Sequence, residues 1–340
     1  MRDSTGIGVD GCRGGWIAVA VRNGQVLALR AADSFLGAID FSVDIDFSVD
    51  IDFSVDIDFS AAIDLPSQSF TTSQRPSTCS SVLVDMPMGL ALDGKRGLEV
   101  ALRARLPKGR KSSVFPVPSR VAFQAVSHAD ASDRNAAVCG KRIPIQTYQI
   151  MPKIAELDTC LRTSPELQAR CGESHPEVCF HVLAQCSAND RAQAPCEDDA
   201  QATCEDDAQA PCEIVLPPKR SVAGRVARRS ILHRHGLRTG ALRATDSWLA
   251  LLHNETGQKP PAASGLVVAE DDLLDALCLA LVASRPSGWE IVRDPLRARD
   301  EQGIALQVIL PDLRAWHCRQ AKTLQADAHR QVQRVRPRNN

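Results

Sequence analysis

The chain has 340 residues, is 44% hydrophobic and carries a formal charge of −1, a composition that excludes an intrinsically disordered chain and supplies ample apolar material for a core. No run of about 18 apolar residues is free of charges, and the charged start, with Arg2, Asp3 and Asp10, does not read as a signal peptide, so neither a membrane span nor a secretory leader is expected. The 12 cysteines form no C-x-x-C pair, and the compartment reads as reducing cytoplasm. Ile7 to Asp10 is a short apolar run ending in an acid, followed by the glycine-rich Gly11-Cys12-Arg13-Gly14-Gly15. Trp16–Val21 and Gln25–Leu29 flank Asn23-Gly24, a strong two-residue hairpin signal, so the chain opens with three strands, the last two antiparallel. Asp33 to Ile39 suits a short helix capped by Asp33 or Ser34.

Two repetitive acidic insertions follow in the chain. The hexamer Phe-Ser-Val-Asp-Ile-Asp recurs from Phe41 to Ser60, and residues 40–64 carry eight acids and no base. Its strict alternation has strand periodicity, and a tandem expansion tolerated in a surface connection is the expected reading. The second insertion, residues 187–213, repeats with period eight from Gln193 and carries eight acids against Arg191. Cys196, Cys204 and Cys212 are spaced too widely for a structural zinc site, and the composition suits a disordered loop. Without these two segments the remaining 288 residues hold a net +14, a basic scaffold that favours a polyanionic partner such as nucleic acid.

Between and after the insertions, Val82-Leu83-Val84-Asp85 reads as a buried strand ending in a second acid and stopped by Pro87. Helical patterns cover residues 95–106, 119–138, 148–162, 221–235 and 245–253. Glu173, His175 and Glu177 alternate along a strand-like start that passes into a helix or loop. Asp271 to Ser284 is an amphipathic helix with acids in its first turn, where the helix dipole favours them. Gly303 to Leu310 reads as a last strand, and residues 319–340 as a basic, frayed tail. Two apparent motifs fail on chemistry. Gly89-x-x-x-x-Gly94-Lys95 continues with Arg96, so the hydroxyl that a phosphate-binding loop offers to magnesium is missing. His175-Pro176-Glu177 with Pro195-Cys196 would need a cysteine where Asp199 stands.

The order of elements matches an RNase H-like arrangement: a mixed α/β sheet of three antiparallel strands followed by parallel ones, with helices on both faces. A single domain over residues 1–318 is expected. Its acids are placed in a pattern of their own. Asp10 ends the first strand, Asp85 ends the fourth, and Asp272 and Asp275 stand three apart on one helix face. Magnesium and manganese take oxygen ligands, and carboxylates drawn from separate strands and a late helix can serve a two-ion phosphodiester hydrolysis. Asp275 stands among Leu273, Leu274, Ala276 and Leu277, where a carboxylate carries a desolvation cost unless it is paired or metal-bound.

Five blocks carry a resemblance: Gly8-Val9-Asp10-Gly11-Cys12-Arg13-Gly14-Gly15-Trp16, Val84-Asp85-Met86-Pro87-Met88-Gly89-Leu90, Ser112-Ser113-Val114-Phe115-Pro116, Glu173-x-His175-Pro176-Glu177-Val178 and Asp271-Asp272-x-x-Asp275-Ala276-Leu277. Over residues 5–310, apart from the insertions, the chain resembles the bacterial domain-of-unknown-function family 429, described as predicted RNase H-like nucleases. The last block also resembles the C-terminal catalytic helix of RuvC-type resolvases. The resemblance implies that Asp10, Asp85, Asp272 and Asp275 are metal ligands and that Glu173 completes the catalytic acids. His175 is a candidate for proton transfer, although a histidine held by neighbouring carboxylates is the commoner outcome. Residues 95–120 hold eight bases against Glu99, and residues 219–243 hold eight bases and no acid. Lys108, Arg110, Lys111, Lys219, Arg220 and Arg225 are the candidate phosphate contacts. The function expected is a magnesium- or manganese-dependent nuclease. The alternatives are a phosphotransferase of the actin-like ATPase class, for which no second glycine-rich phosphate loop or adenosine pocket is found, and a non-catalytic nucleic-acid-binding protein.

Overall fold

A computed structural model describes residues 4–41, 81–92, 94–192, 214–238 and 265–316. The expectations for both repeats, the helix over 245–253 and the tail lie outside these residues. The hairpin at Asn23-Gly24 forms as expected, and both residues take positive φ (54° and 75°), the combination that lets a two-residue turn match strand twist. It joins β2 (Gly15–Arg22) to β3 (Gln25–Ala32), and β2 also pairs antiparallel with β1 (Gly6–Cys12). On the other side of β1 come β4 (Ser81–Val84), then β5 (Cys171–Glu173), both parallel to it. β7 (Gln307–Pro311) continues the parallel run, and β6 (Trp289–Arg293) closes the edge antiparallel to β7. The described strands thus form one mixed sheet in the order β3-β2-β1-β4-β5-β7-β6.

β6 is the strand the sequence reading lacked. Trp289-Glu-Ile-Val-Arg is short and shows little alternation of burial, and its ladder with β7 from Trp289–Pro311 to Arg293–Gln307 is a contact between segments no local pattern announces. The described helices are α1 (Phe35–Ile39), α2 (Leu98–Ala104), α3 (His128–Cys139), α4 (Ile145–Thr163), α5 (Pro165–Arg170), α6 (Pro176–Ala192), α7 (Val222–Arg234) and α8 (Glu270–Ala283). Ser34 caps α1 by accepting from the Gly37 amide. The pattern over 119–138 divides into a 3-10 turn (Arg120–Gln124) and α3, because Ser127 accepts the Asp130 amide and starts a new helix there. No described helix is long and apolar enough to cross a membrane.

Alternation along the strands builds a core on each face of the sheet. Ile7, Val9, Trp16, Ala18, Val82 and Val84 pack on one side with Phe35 of α1 and Ile154, Leu157 and Leu161 of α4. Ile17, Val19, Leu29 and Leu83 pack on the other with α2, α6, α7 and α8. α8 is not the amphipathic helix its pattern suggested: every residue from Leu273 to Ala283, Asp275 included, is buried, because the helix is covered by the sheet on one side and the α6–α7 pair on the other. Gly6 and Gly8 of β1 let it lie close. A Cβ at Gly8 would fall 2.0 Å from the Ala276 carbonyl oxygen, and one at Gly6 would fall 2.0 Å from the Ser284 amide nitrogen. α8 therefore runs antiparallel to β1 almost in backbone contact.

Candidate metal centre

That crossing sets the register of the site. Along the α8 face of β1 stand Gly6, Gly8 and Asp10, opposite Ala280–Ser284, Ala276–Ala280 and the first turns of α8 respectively. Asp10 consequently meets Asp275. Asp85 follows directly on β4, whose Leu83 faces the same side, and its amide still bonds the Val9 carbonyl at 2.9 Å. One carboxylate oxygen from each of Asp10, Asp85 and Asp275 lies within 4.8 Å of the other two. Three acids remote in sequence thus share one small volume at the carboxyl ends of β1 and β4.

Burial raises all three, and neighbouring carboxylates add to it. Desolvation, then Asp85 and Asp275, push Asp10 well above the usual carboxylate range. Asp85 is pushed up to about 7, by burial first, against the opposing charge of Lys219. Asp275 rises to about 6 for the same reasons. Other buried acids are satisfied differently. Asp158 and Asp300 accept from Arg120, Glu99 pairs with Arg96, and Asp294 accepts the Gly97 amide at 2.6 Å. Asp10, Asp85 and Asp275 face one another with one cation, Lys219, bonded to Asp275 at 2.7 Å, an excess of negative charge that a divalent cation would relieve. The all-oxygen donor set suits magnesium or manganese.

Asp272 and Glu173 stand outside this triplet. Asp272 accepts the Ala269 amide at 3.2 Å and so caps its own helix, while burial raises its carboxyl to about 6. Glu173 is buried between the Met88 amide at 2.8 Å and the Arg96 guanidinium at 2.6 Å. Arg96 in turn donates to the Met88 and Gly89 carbonyls, so Glu173 and Arg96 together hold the loop that follows Asp85. His175 lies between the two glutamates of its block. Burial lowers its pKa against the Ser113 backbone and the charges of Glu177, Asp275 and Glu173, and its buried Nδ1 has no hydrogen-bond partner among the described residues.

The basic stretches are largely engaged by the protein itself. Arg110 pairs with Glu177 and the Leu216 carbonyl. Lys219 donates to Asp275 at 2.7 Å, Arg220 lies 3.4 Å from Asp271, and Arg225 lies 2.7 Å from Glu270. Lys108 and Lys111 are exposed. The sequence reading had no role for Lys153. From α4 its stem covers Gly11, where a Cβ would fall 2.9 Å from Lys153 Cδ, and its ammonium donates to the Gly15 carbonyl at 2.5 Å. It also lies 5.1 Å from the Trp16 ring. A basic residue on an amphipathic helix carries no local sign of this position. Arg228 and Glu177, paired with each other at full burial of the arginine, were equally unassigned, although Glu177 stood within a quoted block.

A mixed α/β sheet with helices on both faces and a cluster of three acids at the strand ends defines the class of this protein. The chain belongs to the family described as "Protein of unknown function (DUF429)", which it matches over residues 8–291. No curated protein and no solved structure matches it.

Proposed function

We propose that the protein is a divalent-metal-dependent phosphodiesterase acting on nucleic acid, built on an RNase H-like core. The observation that carries this reading is the convergence of Asp10, Asp85 and Asp275 within 4.8 Å. Supporting it, the sheet order opens β3-β2-β1-β4-β5, with the acids at the ends of β1 and β4, where an RNase H-like nuclease would need them. Asp10, Asp85 and Asp275 would hold magnesium or manganese, with the charge of Asp272 acting on Asp10 and Asp85. The bound ion would supply Lewis-acid stabilisation of charge on the phosphate oxygens.

The rest of the work falls to the chain's own groups. His175, held neutral by burial and with a free Nδ1, is suited to accept a proton at that atom. Glu173, through Arg96, holds the Asp85 loop in place, a positioning role rather than a ligand's. Exposed Lys108 and Lys111 remain available to phosphate. The test is cleavage of labelled single-stranded, duplex and branched DNA and RNA with magnesium or manganese. Asp10→Asn is expected to lower the rate by at least about 100-fold, the scale of losing one group that stabilises transition-state charge. Cleavage indifferent to Asp10→Asn, or ATP turnover with no strand cleavage, overturns the reading.

A further inference from the structure

The pocket between Asp10, Asp85 and Asp275 already contains a positive charge. The Lys219 ammonium donates to Asp275 Oδ2 at 2.7 Å and lies 3.7 Å from Asp271 Oδ2. Its charge acts on Asp10 and Asp85 as well. The segment that delivers it, residues 214–221, is fixed from two directions. Arg110 donates to the Leu216 carbonyl, and Arg228 donates to the Pro217 carbonyl at 3.1 Å. Both guanidiniums pair with Glu177 at the start of α6. Gly224 seats the first turn of α7 directly on this segment, since a Cβ there would fall 1.9 Å from the Pro218 carbonyl oxygen. Lys219 is therefore aimed by a built framework. Its side chain keeps 39% exposure, so Lys219 is open to solvent with the segment still in place.

We infer that Lys219 is the resident counter-ion of the Asp10–Asp85–Asp275 pocket and that a divalent cation enters by displacing its ammonium from Asp275. The inference rests on the proposed divalent site. An ammonium and a divalent ion drawn to one carboxylate repel each other at contact range, so their occupancies oppose one another, and each weakens the other equally. The framework through Glu177 keeps the released ammonium at the pocket mouth, where it can meet an anionic substrate. Metal uptake thereby turns an internal counter-ion into a substrate contact.

The experiment is Mn2+ titration by calorimetry of the full chain, comparing wild type, Lys219→Met and Asp275→Asn. It is paired with peptide-resolved amine labelling of the wild type with and without Mn2+. Lys219→Met is expected to bind Mn2+ about tenfold more tightly, and Asp275→Asn to lose binding. Lys219 in the wild type is expected to label slowly alone and several-fold faster with Mn2+. Unchanged affinity in Lys219→Met, or an unchanged labelling rate, overturns the displacement while leaving the divalent site standing. Failure of both the wild type and Lys219→Met to bind Mn2+ removes the site and the inference together. The labelling arm uses the wild type, so it decides the matter even if Lys219→Met does not fold.

Discussion

Glu173 shows how the partners of one buried acid shape what its removal should do. Its block marked it as an acid beside the site, but both oxygens are taken, one by the Met88 amide and one by buried Arg96. Removing its charge leaves the Arg96 guanidinium under-compensated in the interior. Glu173→Gln is expected to destabilise the fold by about 3 kcal/mol in urea denaturation, the scale of breaking a buried ion pair. Mn2+ affinity should fall far less than in Asp10→Asn. A Glu173→Gln variant of unchanged stability that no longer bound Mn2+ would make Glu173 a ligand instead. The individual acids at 10, 85 and 275 were legible because Asp10 and Asp85 follow apolar strand runs and Asp275 interrupts an apolar stretch of helix. Lys153 and Arg228 were not, because a base on a helix looks the same whether it faces water or a pocket.

At the scale of elements, the contact that matters most is α8 against β1. The strand's Gly6 and Gly8 leave room for helix backbone, and only that closeness brings Asp275 to Asp10. Gly8→Ala would place a methyl 2.0 Å from the Ala276 carbonyl oxygen and 2.2 Å from the Ala280 amide nitrogen, neither of which can move without the helix. Overpacking of this kind costs about 1–3 kcal/mol or more. The expected outcome is a lowered melting temperature together with weakened Mn2+ binding, since α8 must shift away from Asp10. A variant that loses stability but keeps full Mn2+ affinity would show that the crossing does not set the site. The helix itself was plain from its pattern and acidic first turn, and the strand from its apolar run. Gly8 was seen only as part of a block and Gly6 not at all, since their reason for being small is a helix more than 260 residues away.

For the molecule as a whole, the acids make stability depend on pH in a definite direction. Folding raises Asp85 to about 7 and Asp272 and Asp275 to about 6, and Asp10 also rises. Between the unfolded carboxylate range near about 4 and these values the folded state binds more protons. Their contribution is therefore favourable below about pH 4 and is lost as pH rises through 6 to 7. The metal-free urea midpoint is expected to fall from pH 5 to pH 8, and the increment added by saturating Mn2+ to be larger at pH 8 than at pH 5. A midpoint that climbs across this window, with an Mn2+ increment that does not grow, would count against the three carboxylates sharing one field.

The sequence by itself determined the α/β class, the opening hairpin, the late helix and the acids that the strands and that helix carry. Those features rest on local signals: alternation, helical period, a turn dipeptide, and a charge where apolar residues surround it. Tertiary structure alone decided that β6 pairs with β7, that Asp10, Asp85 and Asp275 form the cluster while Glu173 and Asp272 serve their own neighbours, and that most of the described bases in the two basic stretches spend their charge internally. Each of those outcomes depends on which distant groups come within a few ångströms, and no local pattern in a chain encodes that distance.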